Sequence, residues 1–137
     1  MGDYCAVCAL CCVANFQSDI FKAMRDLEHK LQCLCVEWFR YWYPKGTIFA
    51  IPNGGARNVV TAAKLKAEGV LAGVPDLCVP MARGGFHGLY IELKNGNKGV
   101  VSERQRTIMD KLSDEGYKCV VCRSFNEFVK EINDYMK

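Results

Sequence analysis

From Asp26 to Trp42 the apolar residues Leu27, Leu31, Leu34, Cys35, Trp38 and Trp42 recur at spacings of three and four, the repeat of a helix with one apolar face. Pro44 stops that helix. Thr47 to Ile51 reads as a short strand, and Pro52-Asn53-Gly54-Gly55 as a turn whose glycines can take positive φ. A second helix is predicted over Arg57 to Glu68, carrying Arg57, Lys64 and Lys66 and closed by Gly69. The period then changes to two. Leu89, Ile91 and Leu93 alternate with Tyr90, Glu92 and Lys94, so a strand here buries the first set and carries the acid and the lysine together on its other face. The preceding run Asp76-Leu-Cys-Val-Pro80 and the turn residues Arg83-Gly84-Gly85 make this strand the second arm of a hairpin. Ser102 and Gln105 have the spacing of a capping box for a helix that Gly116 closes. Tyr117 to Cys122 is a strand of valines and cysteines. Ser124 and Glu127 form a second box, opening a terminal helix that buries Phe125, Phe128, Ile132 and Tyr135. Helix, strand, helix, strand, strand, helix, strand, helix is the order of an α/β domain with a mixed β-sheet flanked by helices.

Composition narrows this only slightly. Half of the 137 residues are apolar, enough for one domain with a real core. A net charge of +3 neither demands nor excludes nucleic acid; the distribution of charge has to decide. Nine cysteines are many for this length, and an odd number cannot all pair within one chain. On a helix Cys33 and Cys35 point roughly 200° apart, and on a strand Cys119 and Cys122 point to opposite faces. Neither pair can chelate a metal, so most cysteines read as small buried apolar residues of a reducing cytosol. Cys5, Cys8, Cys11 and Cys12 could belong to a metal or iron–sulfur site, but no second cluster of matching spacing follows them. Residues 1–23 stand apart as a Cys-rich leader of unknown role ahead of a domain over 24–137. No apolar run reaches the roughly 20 residues needed to span a bilayer. The apolar stretch Ala6 to Ala14 is preceded by Asp3 and by no Lys or Arg, so it lacks the positive flank of a signal peptide. Alanine at position 6 does not fit a myristoylation signal. The expectation is a cytoplasmic protein with no membrane partner.

The candidate chemistry lies on the hairpin. Asp76 follows Pro75, a residue confined to strand starts and edges, so a carboxylate stands at one strand end while Glu92 and Lys94 share a face of the partner. Two carboxylates and an ammonium converging there can hold a divalent metal and a water beside a phosphodiester. Alone, Glu-x-Lys on a strand also describes a solvated face with an ion pair. Capping by itself accounts for Ser102 and Gln105. His87, a lone histidine at a strand start, reads as structural rather than as a general base.

Pro75-Asp76 followed by Glu92-Leu93-Lys94 resembles the PD-(D/E)XK nuclease signature. With Gly69 to Asp76, His87 to Lys94, Ser102-x-x-Gln105 and Gly116-Tyr117 in that order, the chain from about Glu28 onward resembles the VRR-NUC branch of that superfamily. The resemblance implies a restriction-endonuclease-like PD-(D/E)XK core. It implies Mg²⁺ (or Mn²⁺) held by Asp76, Glu92, the main-chain carbonyl of Leu93 and Glu28, the first-helix acid of a Glu28-x-x-x-Gln32 pair with which Glu37 competes. It makes Asp76, Glu92, Lys94 and Gln105 the catalytic set, and assigns DNA phosphate contact to Asn53, Gly54, Gly55 and Arg57. Stand-alone relatives of this size resemble virus-type Holliday-junction resolvases. The implied activity is thus a deoxyribonuclease acting on branched DNA as a homodimer, in a bacterial or phage-infected cell, leaving 5′-phosphate and 3′-hydroxyl ends. Two rivals stand beside it: a non-catalytic nucleic-acid-binding module with the same fold, and a cysteine-centred redox or metal protein.

Overall fold

The computed structural model of the chain describes residues 26–52 and 59–137. Its elements follow the predicted order. Helix α1 occupies residues 26–42; β1 (Phe49–Ala50), α2 (Val59–Ala67), β2 (Leu77–Val79), β3 (Leu89–Leu93), α3 (Glu103–Asp114), β4 (Lys118–Cys122) and α4 (Phe125–Met136) come after it. The four strands form one mixed sheet in the order β1-β2-β3-β4. β1 with β2 and β2 with β3 are antiparallel, whereas β3 with β4 is parallel, connected through α3 as parallel neighbours require.

Strand alternation gives the sheet two unlike faces. On one, Leu77, Val79, Leu89, Ile91, Leu93 and Cys122 pack with Cys35 and Phe39 of α1 and with Phe128, Ile132 and Tyr135 of α4. The other face carries Cys78, Tyr90, Glu92 and Cys119 and lies under α3, from which Gln105 reaches Glu92 and Ser113 reaches Cys119. This second cover decides the character of the site. Every residue of β3 except Tyr90 is buried, Glu92 included.

Three local expectations need correction. On α1 Cys35 and Phe39 are buried and Leu31 and Trp38 are partly buried against the core, while Leu27, Leu34 and Trp42 are about half exposed or more; the helix has more apolar positions than the sheet and α4 can cover. β1 is ladder-paired only over Phe49–Ala50 rather than over five residues. The second capping box is half made. Ser124 accepts from Glu127 N, but the Glu127 carboxylate reaches one residue further back, to the N–H of Arg123 at 2.6 Å. The first box is complete, with Ser102 Oγ accepting from Gln105 N and Gln105 Oε1 accepting from Ser102 N.

Two glycine positions shape the connections. Gly116, at φ +84°, ends α3 in a Schellman motif in which Tyr117 N donates to Leu112 O and Gly116 N to Ser113 O. Gly84 and Gly85, both at positive φ, are the central pair of a tight turn closed by two main-chain bonds between Arg83 and Phe86. Among the described residues no helix is long and apolar enough to cross a membrane.

Candidate active site

Register brings the two carboxylates together. β2 and β3 pair Leu77 with Ile91, so one step outward sets Asp76 opposite Glu92 on the face under α3. Pro75, fully buried, delivers the chain to this point. The Asp76 carbonyl accepts from Ile51 N at 2.8 Å, a main-chain bond just beyond the Phe49–Ala50 pairing. Its side chain turns toward β3, where Oδ2 accepts the N–H of Leu93, also at 2.8 Å. Asp76 thereby clamps the end of the strand that carries the second acid.

Glu92 is 2% exposed. Its Oε1 lies 2.9 Å from Lys94 Nζ and accepts a further bond from Gln105 Nε2. Lys94 sits two residues further on, just past the end of β3, its main-chain N–H bonded to Cys122 O and its side chain only 13% exposed. Gln105 serves two ends at once: its carbonyl oxygen caps α3 and its amide nitrogen holds Glu92. Glu92 Oε2, by contrast, is buried and has no hydrogen-bond partner. Leaving such an oxygen unsatisfied costs about 1–3 kcal/mol, and more when it is charged. Burial pushes the Glu92 carboxyl up from 4.5 to about 7, and the neighbouring Asp76 adds to the rise; hydrogen bonding and charge from Lys94 offset part of it, and Glu28 on α1 adds a smaller push. A carboxyl raised toward neutrality beside a second acid and a lysine makes this cluster the candidate functional site.

Asp76, Glu92, Lys94 and Gln105 are therefore brought together, and the Leu93 main chain lies within the same cluster. Glu28 acts on it through charge. Gln32 faces a different place, a groove of about 290 Å³ between α1 and β1 that is also lined by His29, Cys33, Glu37, Arg40 and Phe49. His87 precedes β3 and packs edge-on against Tyr117. It stands five residues from Glu92, about 17 Å along an extended strand, and outside the cluster. Asn53, Gly54, Gly55 and Arg57 lie outside the described residues. Of the described cysteines, Cys35, Cys78 and Cys122 are buried and Cys33 alone is exposed; burial pushes the Cys35 and Cys122 thiols up to about 12. Such thiols are packing groups rather than reactive ones.

The sequence profile of the VRR-NUC domain matches residues 16–126. The chain belongs to the VRR-NUC family. A solved structure of a VRR-NUC domain protein is 30% identical to it, with a TM-score of 0.67 over 80% of this chain and 87% of that one. A search among curated proteins finds no match. The family match covers the Asp76, Glu92, Lys94 and Gln105 cluster, and the shared structure is consistent with the restriction-endonuclease-like fold.

VRR-NUC domains are nuclease-type domains, a class that works with divalent metal ions. Among the described residues no three His, Cys, Asp or Glu side chains are arranged to cage a metal by themselves. The donor set nevertheless fits such an ion. Glu92 Oε2 is a buried carboxylate oxygen in need of a partner, it faces a second carboxylate across the strand pair, and both are hard oxygen donors of the kind Mg²⁺ and Mn²⁺ prefer.

Proposed function

We propose that this VRR-NUC domain is a metal-dependent DNA endonuclease that hydrolyses phosphodiester bonds in branched DNA, with Holliday junctions as its leading substrate. The observation that carries the reading is the partnerless, buried Oε2 of Glu92, set opposite Asp76 while Lys94 and Gln105 occupy the other oxygen. Asp76, Glu92, the Leu93 carbonyl and Glu28 are the residues that would hold Mg²⁺ or Mn²⁺. When bound, the ion supplies positive charge that makes water a better nucleophile and neutralises the phosphate. Lys94, as an ammonium, orients the attacking water by donating to it and offsets charge developing on the phosphate oxygens. Gln105 fixes Glu92 by taking one lone pair of Oε1, which leaves Oε2 free to turn to the ion. No histidine base is required.

Phosphate contact by Asn53, Gly54, Gly55 and Arg57 completes the substrate reading. The homodimer, which would present two sites to two strands of a junction, rests on the family resemblance alone. Gel filtration with light scattering at micromolar protein is expected to give twice the chain mass; a strictly monomeric mass counts against it. The alternative, a binding module that keeps the fold without catalysis, has to explain why a buried carboxylate is held next to an acid and a lysine at a cost in stability.

The deciding assay is cleavage of labelled four-way junction, flap, single-stranded and linear duplex DNA with Mg²⁺ or Mn²⁺, comparing wild type with Lys94→Ala. Metal-dependent cutting that favours the junction and falls about 10²-fold or more in Lys94→Ala is expected. Junction binding without cutting by wild type would move the assignment to the binding module.

A further inference from the structure

The cluster contains Lys94 but does not explain how its position is held. β3 ends at Leu93, and the lysine heads a loop that runs from Asn95 to Val101 before α3 begins. A lysine has about 2 kcal/mol of side-chain conformational freedom to lose, so some neighbour must hold its stem if the ammonium is to stay on Glu92.

The loop is strapped to one residue. Arg123, directly after β4, accepts the N–H of Gly96 on its main-chain oxygen at 3.2 Å. Its guanidinium Nη1 donates to Gly96 O at 3.1 Å and to Gly99 O. Arg123 is itself anchored, since its N–H is the one that Glu127 of α4 accepts. The strap presses on the lysine at Gly99. A Cβ built there would stand 2.8 Å from Lys94 Cβ and 3.3 Å from Lys94 Cδ, so the Gly99 main chain forms the wall along which the lysine stem runs.

We propose that Arg123 is a positioning residue for Lys94, acting through the two loop carbonyls it clamps and through Gly99. Both bonds leave the one nitrogen Nη1, whose two N–H groups are fixed in the guanidinium plane and so hold the two carbonyls in set directions, whereas a lysine ammonium turns freely on its stem. The consequence for catalysis rests on the nuclease reading above; the consequence for the lysine does not. Arg123 lies between a strand and a helix cap and touches none of the proposed reacting atoms. Its effect on cleavage should therefore fall on kcat and leave KM alone.

The test pairs two readouts on Arg123→Gln, Arg123→Lys and Gly99→Ala, with Val100→Ala at an exposed neighbouring position as control. The first is residue-resolved acylation of lysines followed by mass spectrometry, which needs neither metal nor DNA. Lys94 is expected to acylate severalfold faster in Arg123→Gln and Gly99→Ala than in wild type or Val100→Ala. Arg123→Lys, which keeps the charge but is shorter and lacks the planar pair of N–H groups on Nη1, should resemble Arg123→Gln. Lys118, paired with Glu131 against α4, should react at an unchanged rate and so reports that the fold is intact. The second readout is steady-state cleavage, where kcat is expected to fall about tenfold or more with KM unchanged. Lys94 acylating at the wild-type rate in Arg123→Gln would overturn the proposal, as would Lys94 and Lys118 loosening together. A change in KM alone would make Arg123 a DNA contact instead. If wild type cuts no DNA, the acylation result still decides the positioning role, so the two readings fail separately.

Discussion

Glu92→Gln is expected to reduce metal-dependent cleavage by about 10³-fold or more while leaving the chain folded. Glutamine keeps the shape of the side chain and removes its charge. Oε1 of Glu92 takes bonds from two donors, Lys94 Nζ and Gln105 Nε2, and a neutral amide serves them less well. The larger loss is at Oε2, the buried oxygen with no partner in the protein; in glutamine one of the two positions becomes an NH₂, and the anionic oxygen pair available to a divalent ion is gone. Single-turnover cleavage of junction DNA with saturating Mn²⁺ measures the effect. Activity within tenfold of wild type would mean that Glu92 is a structural acid and that the site lies elsewhere.

The same residue should dominate the pH dependence of stability. In the metal-free folded chain the Glu92 carboxyl sits at about 7 against an ordinary value of 4.5, so the folded state holds this proton more tightly than the unfolded state. Its contribution is fully present below about pH 4.5 and is lost as pH rises through about 7. The loss amounts to about 3 kcal/mol, or about 10 °C in Tm for a domain of this size. Glu92→Gln has no proton to lose there. Between pH 5 and pH 8 without metal, wild type is expected to drop in Tm while Glu92→Gln follows a flatter course, so that the variant is the more stable protein at pH 8. Mg²⁺ or Mn²⁺ should then raise the Tm of wild type at pH 8 and do little at pH 5, where the carboxyl is protonated; Glu92→Gln should not respond. Parallel pH profiles for the two proteins, or an equal response to metal, would show that burial of this acid is not what links stability to the site. Stability given up at neutral pH in the free protein is the physical sign of a group kept for something other than folding.

Much of this was legible along the chain because its causes are local. The period-two run Leu89 to Lys94 became β3, with Leu89, Ile91 and Leu93 on the core face. Ser102 and Gln105 made their box, and Gly116 and the Gly84-Gly85 pair took the positive φ values that only glycine adopts cheaply. Each depends on residues a few positions apart. The errors share one cause as well. Leu27, Leu34 and Trp42 have helical spacing as good as that of Leu31 and Trp38, but the amount of sheet and of α4 available to cover α1 decides which stripe is buried. Glu127 has the right spacing to return to Ser124, yet the chain leaving β4 presents the N–H of Arg123 to it first.

For the site, the residue types and their spacing determined by themselves that two acids, a lysine and a glutamine belong to one hairpin and the helix after it, because alternation and capping are properties of short segments. Only the tertiary structure decided what those groups are. The register of β2 on β3 set Asp76 against Glu92 and on the N–H of Leu93. The packing of α3 over the second face turned a seemingly wet Glu-x-Lys pair into a buried carboxyl raised toward neutrality, with one oxygen satisfied twice and the other not at all. Arg123, 24 and 27 positions away from the two carbonyls it clamps, carries no periodic or capping signal that would connect it to Lys94. Burial, register and long-range clamping depend on which surfaces meet, and no pattern within one segment contains that information.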